Sequence, residues 1–386
     1  MIKIAAFYPN YFHIGGIAYA ALSIIETMQS KDIKASIMGI ASGADLTKPF
    51  YRSAFPAWAK SIAYRILTEK QIKKFSEFRF SNSLVNSDIA YLWPGVSLAL
   101  YENLHARGHQ LIMENINTHQ ATSKSILDAE YARLGLAPTH GITSEAADEE
   151  SLKLNLVDFV FSCSPNVTAS LIAANVPTSK IIETTYGLRD SEILAEDELV
   201  SRSQHAEITA IFVGTIGVRK GPHLILDYWC RSNIKGKLRL VGDIQPEIRH
   251  IIEPYLKRSD VEHVPYVKDL RSIYKEADVF ILPSLEEGSP LVTYLALGAG
   301  LPCIVSPMGG GGVIEHGKEG FVIDPFDAQA WVEAIQTISS DIDLRKEFSK
   351  KSHTKAKAYV WSNVGRQRAQ VMLSRIESRS LKGELS

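Results

Sequence analysis

Cysteine is scarce in this sequence: three thiols, Cys163, Cys230 and Cys303, in 386 residues. They are odd in number, far apart, and each sits in or beside an apolar segment, so neither a disulfide framework nor a metal-ligand spacing can be built from them. They read as buried thiols of a reducing compartment. No apolar run is long enough to span a bilayer. The first residues, Met1 to Pro9, lack the basic and then apolar blocks of a signal peptide, which points to a cytoplasmic protein, at most peripheral on the inner face of a membrane. An excess of charge of one sign is missing too. The 42 basic and 43 acidic side chains leave a formal charge of -1, so no global field attracts nucleic acid, and a charged partner must meet a local patch.

What is present is alternation. Short apolar runs rich in β-branched residues occur at Ile2 to Tyr8, Ala35 to Ile40, Ile89 to Trp93, Gln110 to Glu114 and Phe159 to Ser162. A second set follows at Thr209 to Val213, Lys237 to Val241, Val261 to Val264, Val279 to Leu282, Cys303 to Ser306 and Gly320 to Ile323. Helical patterns lie between them, as in parallel sheets covered by helices on both faces. The length exceeds what one hydrophobic core usually serves. A charged stretch without clear periodicity, Arg189 to Glu207, reads as the linker between two α/β domains, 1–188 and 189–363, with 364–386 as a final helix.

The stretch from Lys48 to Arg79 stands apart. Eight basic residues (Lys48, Arg52, Lys60, Arg65, Lys70, Lys73, Lys74, Arg79) meet two acids (Glu69, Glu77) and are interleaved with seven aromatics, Trp58, Tyr64 and Phe78 among them. Such a segment suits an amphipathic helix on an anionic bilayer, and equally one packed on its own domain with a solvated basic face.

Four loops carry chemistry. Gly15-Gly16 follows the first strand and precedes a helix, where backbone can approach a ligand and helix amides meet an anion; a tight turn explains the pair equally well. Gly214 to Gly221 closes the first strand of the second half and holds Thr215, Arg219 and Lys220, where a diphosphate could be neutralised; alone, it is also a solvated Arg-Lys turn. Pro283-Ser284-Leu285-Glu286-Glu287-Gly288-Ser289-Pro290-Leu291-Val292 follows a buried strand, with Gly300-Leu301-Pro302 and Gly309 to Gly312 downstream. An acid at such a helix entrance can accept sugar hydroxyls, or simply offset the helix dipole. Glu114-Asn115-Ile116-Asn117-Thr118-His119 gathers hydrogen-bonding side chains after a strand end, with Glu114, Asn117 and His119 the acceptor-side candidates.

Pro283-Ser284-x-x-Glu287-Gly288 with Gly300-x-Pro302 resembles the donor motif of the retaining glycosyltransferases of family 4, which have the GT-B fold. The likeness continues in Gly15-Gly16, Ser162 to Pro165, Tyr186-Gly187-Leu188, Gly214 to Gly221, Gly317 to Asp324 and Trp361, in the expected order. It implies two doubly wound Rossmann-like domains facing across a cleft, with a C-terminal helix crossing back to the first. It also implies sugar transfer from a nucleotide diphosphate sugar, UDP- or GDP-linked, to a glycan or lipid-linked acceptor in surface polysaccharide or glycolipid synthesis. Gly15, Gly16, Gly214, Thr215, Arg219, Lys220, Tyr266, Glu287 to Val292 and Leu295 would hold the donor. Glu287, His119, Arg219 and Lys220 would act in catalysis, without metal or other cofactor. Two positions depart from the family. Its second Glu, which binds ribose, is replaced by Leu295, and the cation usual after the loop's first Gly is Thr215. A partner subunit with impaired donor binding and a GT-B sugar-nucleotide epimerase are the rival readings.

Overall fold

The structure, a computed structural model, describes residues 1–12, 15–42, 48–85, 88–200 and 207–383. Strands β1 (Ile2–Phe12), β2 (Ile33–Ser42), β3 (Tyr51–Ser53), β4 (Ile89–Leu92), β5 (Leu111–Asn115), β6 (Phe159–Ser162) and β7 (Ile181–Glu183) form one sheet. Its order is β3-β2-β1-β4-β5-β6-β7, and every pair is parallel. A second parallel sheet, in the order β10-β9-β8-β11-β12-β13, is built from β8 (Ile208–Val213), β9 (Gly236–Val241), β10 (Val261–Val264), β11 (Val279–Leu282), β12 (Cys303–Val305) and β13 (Gly320–Val322). Strands β4, β6 and β11 are buried at every position because helices cover both faces, which is why they read as unbroken apolar runs. These are the two doubly wound domains expected of the GT-B fold.

All the apolar runs named above are strands. The short edge strands β3 and β7 are additions: each has one neighbour and three residues, too little for a run to stand out. Lys48 to Arg79 is therefore not a single helix. It gives β3, a helix Ala57–Ile66 and a helix Glu69–Ser83, the last begun by a capping box between Thr68 and Gln71. Of the linker, 201–206 lies outside the described residues. The residue just before the linker pairs with the returning chain, Leu188 N donating to Tyr359 O at 3.0 Å and Trp361 N to Leu188 O at 3.0 Å.

The last helix, Trp361–Gly383, packs on the helix Gly16–Thr27 of the first domain, and Trp361 Nε1 donates to the Tyr19 hydroxyl at 2.6 Å. Two turns further, Arg368 enters the first domain's core. Its guanidinium meets both oxygens of Glu114 at 2.9 and 3.2 Å, donates to Thr185 O at 3.0 Å, and lies over the rings of Phe161 and Tyr186. Glu114 also accepts from the hydroxyls of Tyr91 and Tyr186. Both charges are fully buried. Glu114 is thus no acceptor-side residue: its lone pairs are used, and its role is to seat the returning helix. Removing one partner leaves the other charge buried and alone, so Arg368→Met should cost about 3–5 kcal/mol in denaturant unfolding. Pairing it with Glu114→Gln should recover part of that loss; a loss under about 1 kcal/mol for Arg368→Met would contradict this account.

Candidate active site

The site is assembled where strands end. In parallel sheets all carboxyl ends share one edge, and the two edges face each other here. From the second domain, β8 runs into Gly214 and a turn, Val218–Lys220, that presents Arg219 and Lys220. Gly221 closes the turn at φ 67°, and a Cβ there would lie 2.4 Å from Pro283 O, so the two loops meet backbone to backbone. From the neighbouring β11 come Glu286 and Glu287, buried, ahead of the helix Leu291–Gly298.

These four charges form one cluster. Arg219 Nε donates to Glu286 Oε2 at 2.7 Å, Arg219 Nη2 reaches Glu287 Oε2 at 3.1 Å, and Lys220 Nζ meets Glu287 Oε1 at 2.5 Å. Burial alone would raise the Glu287 carboxyl, but Lys220 and Arg219 hold it below the usual carboxylate range. Burial likewise works against the Arg219 charge, and the two carboxylates more than offset it, raising its pKa.

The first domain closes on this cluster through the loop after β5. Glu286 Oε1 accepts from Thr118 N at 3.3 Å, Thr118 Oγ1 at 2.9 Å and Ser123 Oγ at 3.1 Å, and Arg219 Nη2 donates to Asn117 Oδ1 at 3.1 Å. Gly288 is a contact point: a Cβ there would fall 1.8 Å from Ile116 O. Of the acceptor-side residues only Asn117 reaches the cluster. His119 does not open into the cleft. Its buried ring caps the helix Gln120–Arg133, Nδ1 accepting from Ala121 N at 3.2 Å, while Nε2 sits 3.2 Å from Ser151 Oγ and burial lowers its pKa.

Two cavities divide the expected donor residues, and only the first is lined by members of the cluster. A polar one of about 530 Å³ is lined by Thr215, Arg219, Lys220, Glu286, Asn117 and Thr118, with Trp93, Tyr131, His140, Glu150, Lys153 and Gln245 around them. A more apolar one of about 420 Å³ is lined by Gly15, Gly16, Tyr19, Tyr266, Leu291, Val292 and Leu295, with Arg189 and Glu192 at its polar side. Gly214 packs beneath the Lys220 stem, and Ser289, its hydroxyl 2.7 Å from that of Tyr294, is buried with Pro290 between the two spaces.

The family profile described as Glycosyl transferases group 1 matches residues 207–341, the part that holds β8 to β13 and the four-charge cluster. Residues 207–341 are a group 1 glycosyl transferase domain. The chain is similar to a D-inositol 3-phosphate glycosyltransferase of Corynebacterium urealyticum, 33% identical over 173 residues, which are 40% of this chain and 40% of that protein. It is also similar to the UDP-Gal:alpha-D-GlcNAc-diphosphoundecaprenol alpha-1,3-galactosyltransferase of Escherichia coli, 39% identical over 74 residues, 19% of each chain. The match therefore spans about two fifths or less of these curated relatives. Among solved structures, Anabaena Alr3699/HepE in complex with UDP-glucose superposes with a TM-score of 0.68 at 15% identity, covering 97% of this chain and 100% of that one, a likeness of fold.

Sequence reasoning missed Glu150. It lies mid-helix in Ser144–Leu156, in an acid-rich run that reads as a solvated face, yet it is buried against the polar cavity. Burial pushes its carboxyl up to about 7, with the Gln120 N donor at 2.6 Å opposing only in part. A raised folded-state pKa means that ionisation destabilises the fold: stability is full below about 4.5, falls as pH rises through 7, and levels off above. The loss is on the order of 3 kcal/mol at most, and Glu150→Gln should flatten this slope in urea unfolding between pH 4.5 and 8. An unchanged slope would place the titration elsewhere.

Proposed function

We propose that the chain is a retaining glycosyltransferase that moves a sugar from a nucleotide diphosphate sugar, UDP- or GDP-linked, to a glycan or lipid-linked acceptor. The observation that carries this reading is Arg219 and Lys220, held with Glu287 at adjacent strand ends of a group 1 glycosyl transferase domain, at the cleft between two doubly wound domains. The donor-bound state of HepE and the diphosphoundecaprenol named for the Escherichia coli relative support the two substrate classes.

On this reading the nucleoside takes the apolar cavity beside Tyr266 and Leu295, and the diphosphate is drawn to Arg219 and Lys220. The bond from the anomeric carbon to the diphosphate oxygen breaks, and the acceptor oxygen bonds on the same face. Its proton passes to the departing diphosphate, so neither a protein base nor a metal is used. The two cations offset the charge that develops on the leaving group, and loss of one such donor typically costs roughly 3 kcal/mol of barrier. A second reading, a partner subunit with impaired donor binding, is favoured by Leu295, which cannot accept ribose hydroxyls.

Glu287 separates binding from chemistry. In the structure it competes for Lys220, so Glu287→Gln should leave UDP or GDP affinity unchanged or tighter while turnover falls more than tenfold. Arg219→Gln with Lys220→Gln should instead weaken the bare nucleotide at least tenfold, since hydrogen bonds to charged groups contribute about 1.5–3 kcal/mol each. Calorimetry and a transfer assay read the two quantities. Equal losses of binding and turnover in Glu287→Gln would assign it to the nucleotide or to the fold, and a native chain that neither binds UDP or GDP nor turns over would favour the partner-subunit reading.

A further inference from the structure

The helix Ala57–Ile66 is amphipathic the wrong way round for a packed helix. Ala63 is buried, while Trp58, Ile62 and Ile66, spaced by four and hence on one face, are 77%, 52% and 72% exposed. The following helix Glu69–Ser83 buries Ile72 and Phe80 and adds an exposed Phe78. An apolar face of this extent turned to water marks an interaction surface.

Its charge names the partner. Arg52, Arg65, Lys70, Lys74 and Arg79 are exposed around this face, and none of them has a carboxylate at ion-pair distance among the described residues. Of the two acids in the stretch, Glu77 is turned away: its oxygens accept from Ser97 N at 2.8 Å and Ser97 Oγ at 2.6 Å. Lys60, whose side chain lies outside the described residues, belongs to the same run. Placement adds a third observation. The helix Ala57–Ile66 starts four residues beyond the carboxyl end of β3, at the sheet edge that also carries Gly15-Gly16 and Asn117.

We propose that this face docks on an anionic lipid bilayer, with Trp58, Ile62 and Ile66 at the boundary of headgroups and acyl chains and the cations on lipid phosphates. The contact holds the cleft rim at the membrane surface, where a lipid-linked acceptor would be met. Only that last consequence rests on the transferase reading; the docking needs no donor.

Trp58 supplies the readout, because the other tryptophans, Trp93, Trp229, Trp331 and Trp361, are no more than 4% exposed. Mixed phosphatidylglycerol–phosphatidylcholine vesicles should float the full chain at low salt and shift its tryptophan emission to the blue, and vesicles of phosphatidylcholine alone should do neither. Trp58→Phe should lose the shift and keep flotation. Each of Lys70→Gln, Lys74→Gln and Arg79→Gln should weaken partitioning about fivefold, and high salt should do the same to the native chain. Trp58→Ser with Ile62→Ser and Ile66→Ser should abolish flotation without loss of folding, since these side chains are exposed. Native protein that stays out of the anionic vesicles at low salt overturns the proposal. So does light scattering that shows a dimer abolished by the triple serine variant, which would assign the face to a second copy. Nucleotide affinity, measured without vesicles, fails or holds independently and tests the transferase reading alone.

Discussion

Arg219 is the side chain around which the two domains agree. It ties Glu286 and Glu287 of its own domain to Asn117 of the other, and Glu286 spends its second oxygen on Thr118 and Ser123 across the cleft. Buried charges are tolerated only when every partner is in place, so the cluster has all of its stabilising effect in this closed arrangement and much less in any partial one. The position of the β5 loop, the close approach of Gly288 to Ile116 and the walls of the polar cavity all follow from that closure.

Other contacts share the load on the same side. His223 at the start of the helix Pro222–Ser232 meets Glu130 at 2.5 Å, where Arg133 also binds, and the Tyr131 hydroxyl reaches Glu247 at 3.2 Å. At the far side the domains are joined differently, by backbone pairing of Leu188 with Tyr359 and Trp361 and by the Arg368–Glu114 pair. Opening the cleft would break the first group of polar contacts and could leave the second intact. The chain thus has a seam of polar side-chain contacts beside the candidate site and a second, built on backbone pairing and the Arg368–Glu114 pair, behind it.

Much of this was legible in the sequence because it depends on local signals. Strands buried on both faces announce themselves as apolar runs, and the glycine-rich turns mark their carboxyl ends, so both sheets and the position of Arg219, Lys220 and Glu287 could be read. Glu114, His119 and Glu150 could not. Each is polar, near a strand end or in an acid-rich helix, and nothing in its neighbours in sequence says that Arg368, 254 residues away, or the Ser151 hydroxyl, 32 residues away, would claim it. Side-chain direction in a loop is set by long-range partners. For the same reason the stretch 48–79 read equally well as packed or membrane-facing until the burial of Ala63 and the exposure of Trp58 fixed which face points outward.

The cluster also bears on one of the two departures, Thr215. Two cations and two carboxylates make the closed site nearly neutral, so a diphosphate gains little from its field as it stands. At an effective dielectric of 20, unit charges 4 Å apart interact by about 4 kcal/mol, so on the proposed reading a phosphate would compete with Glu287 for Lys220. On the proposed reading, donor binding would loosen the Glu287 carboxylate, and a carboxylate loosened next to a bound sugar diphosphate would be free to accept hydroxyls of that sugar. A cation at Thr215 would have allowed phosphate to bind beside an undisturbed Glu287–Lys220 pair. With Thr215 there instead, the proposed reading couples recognition of the diphosphate to release of Glu287.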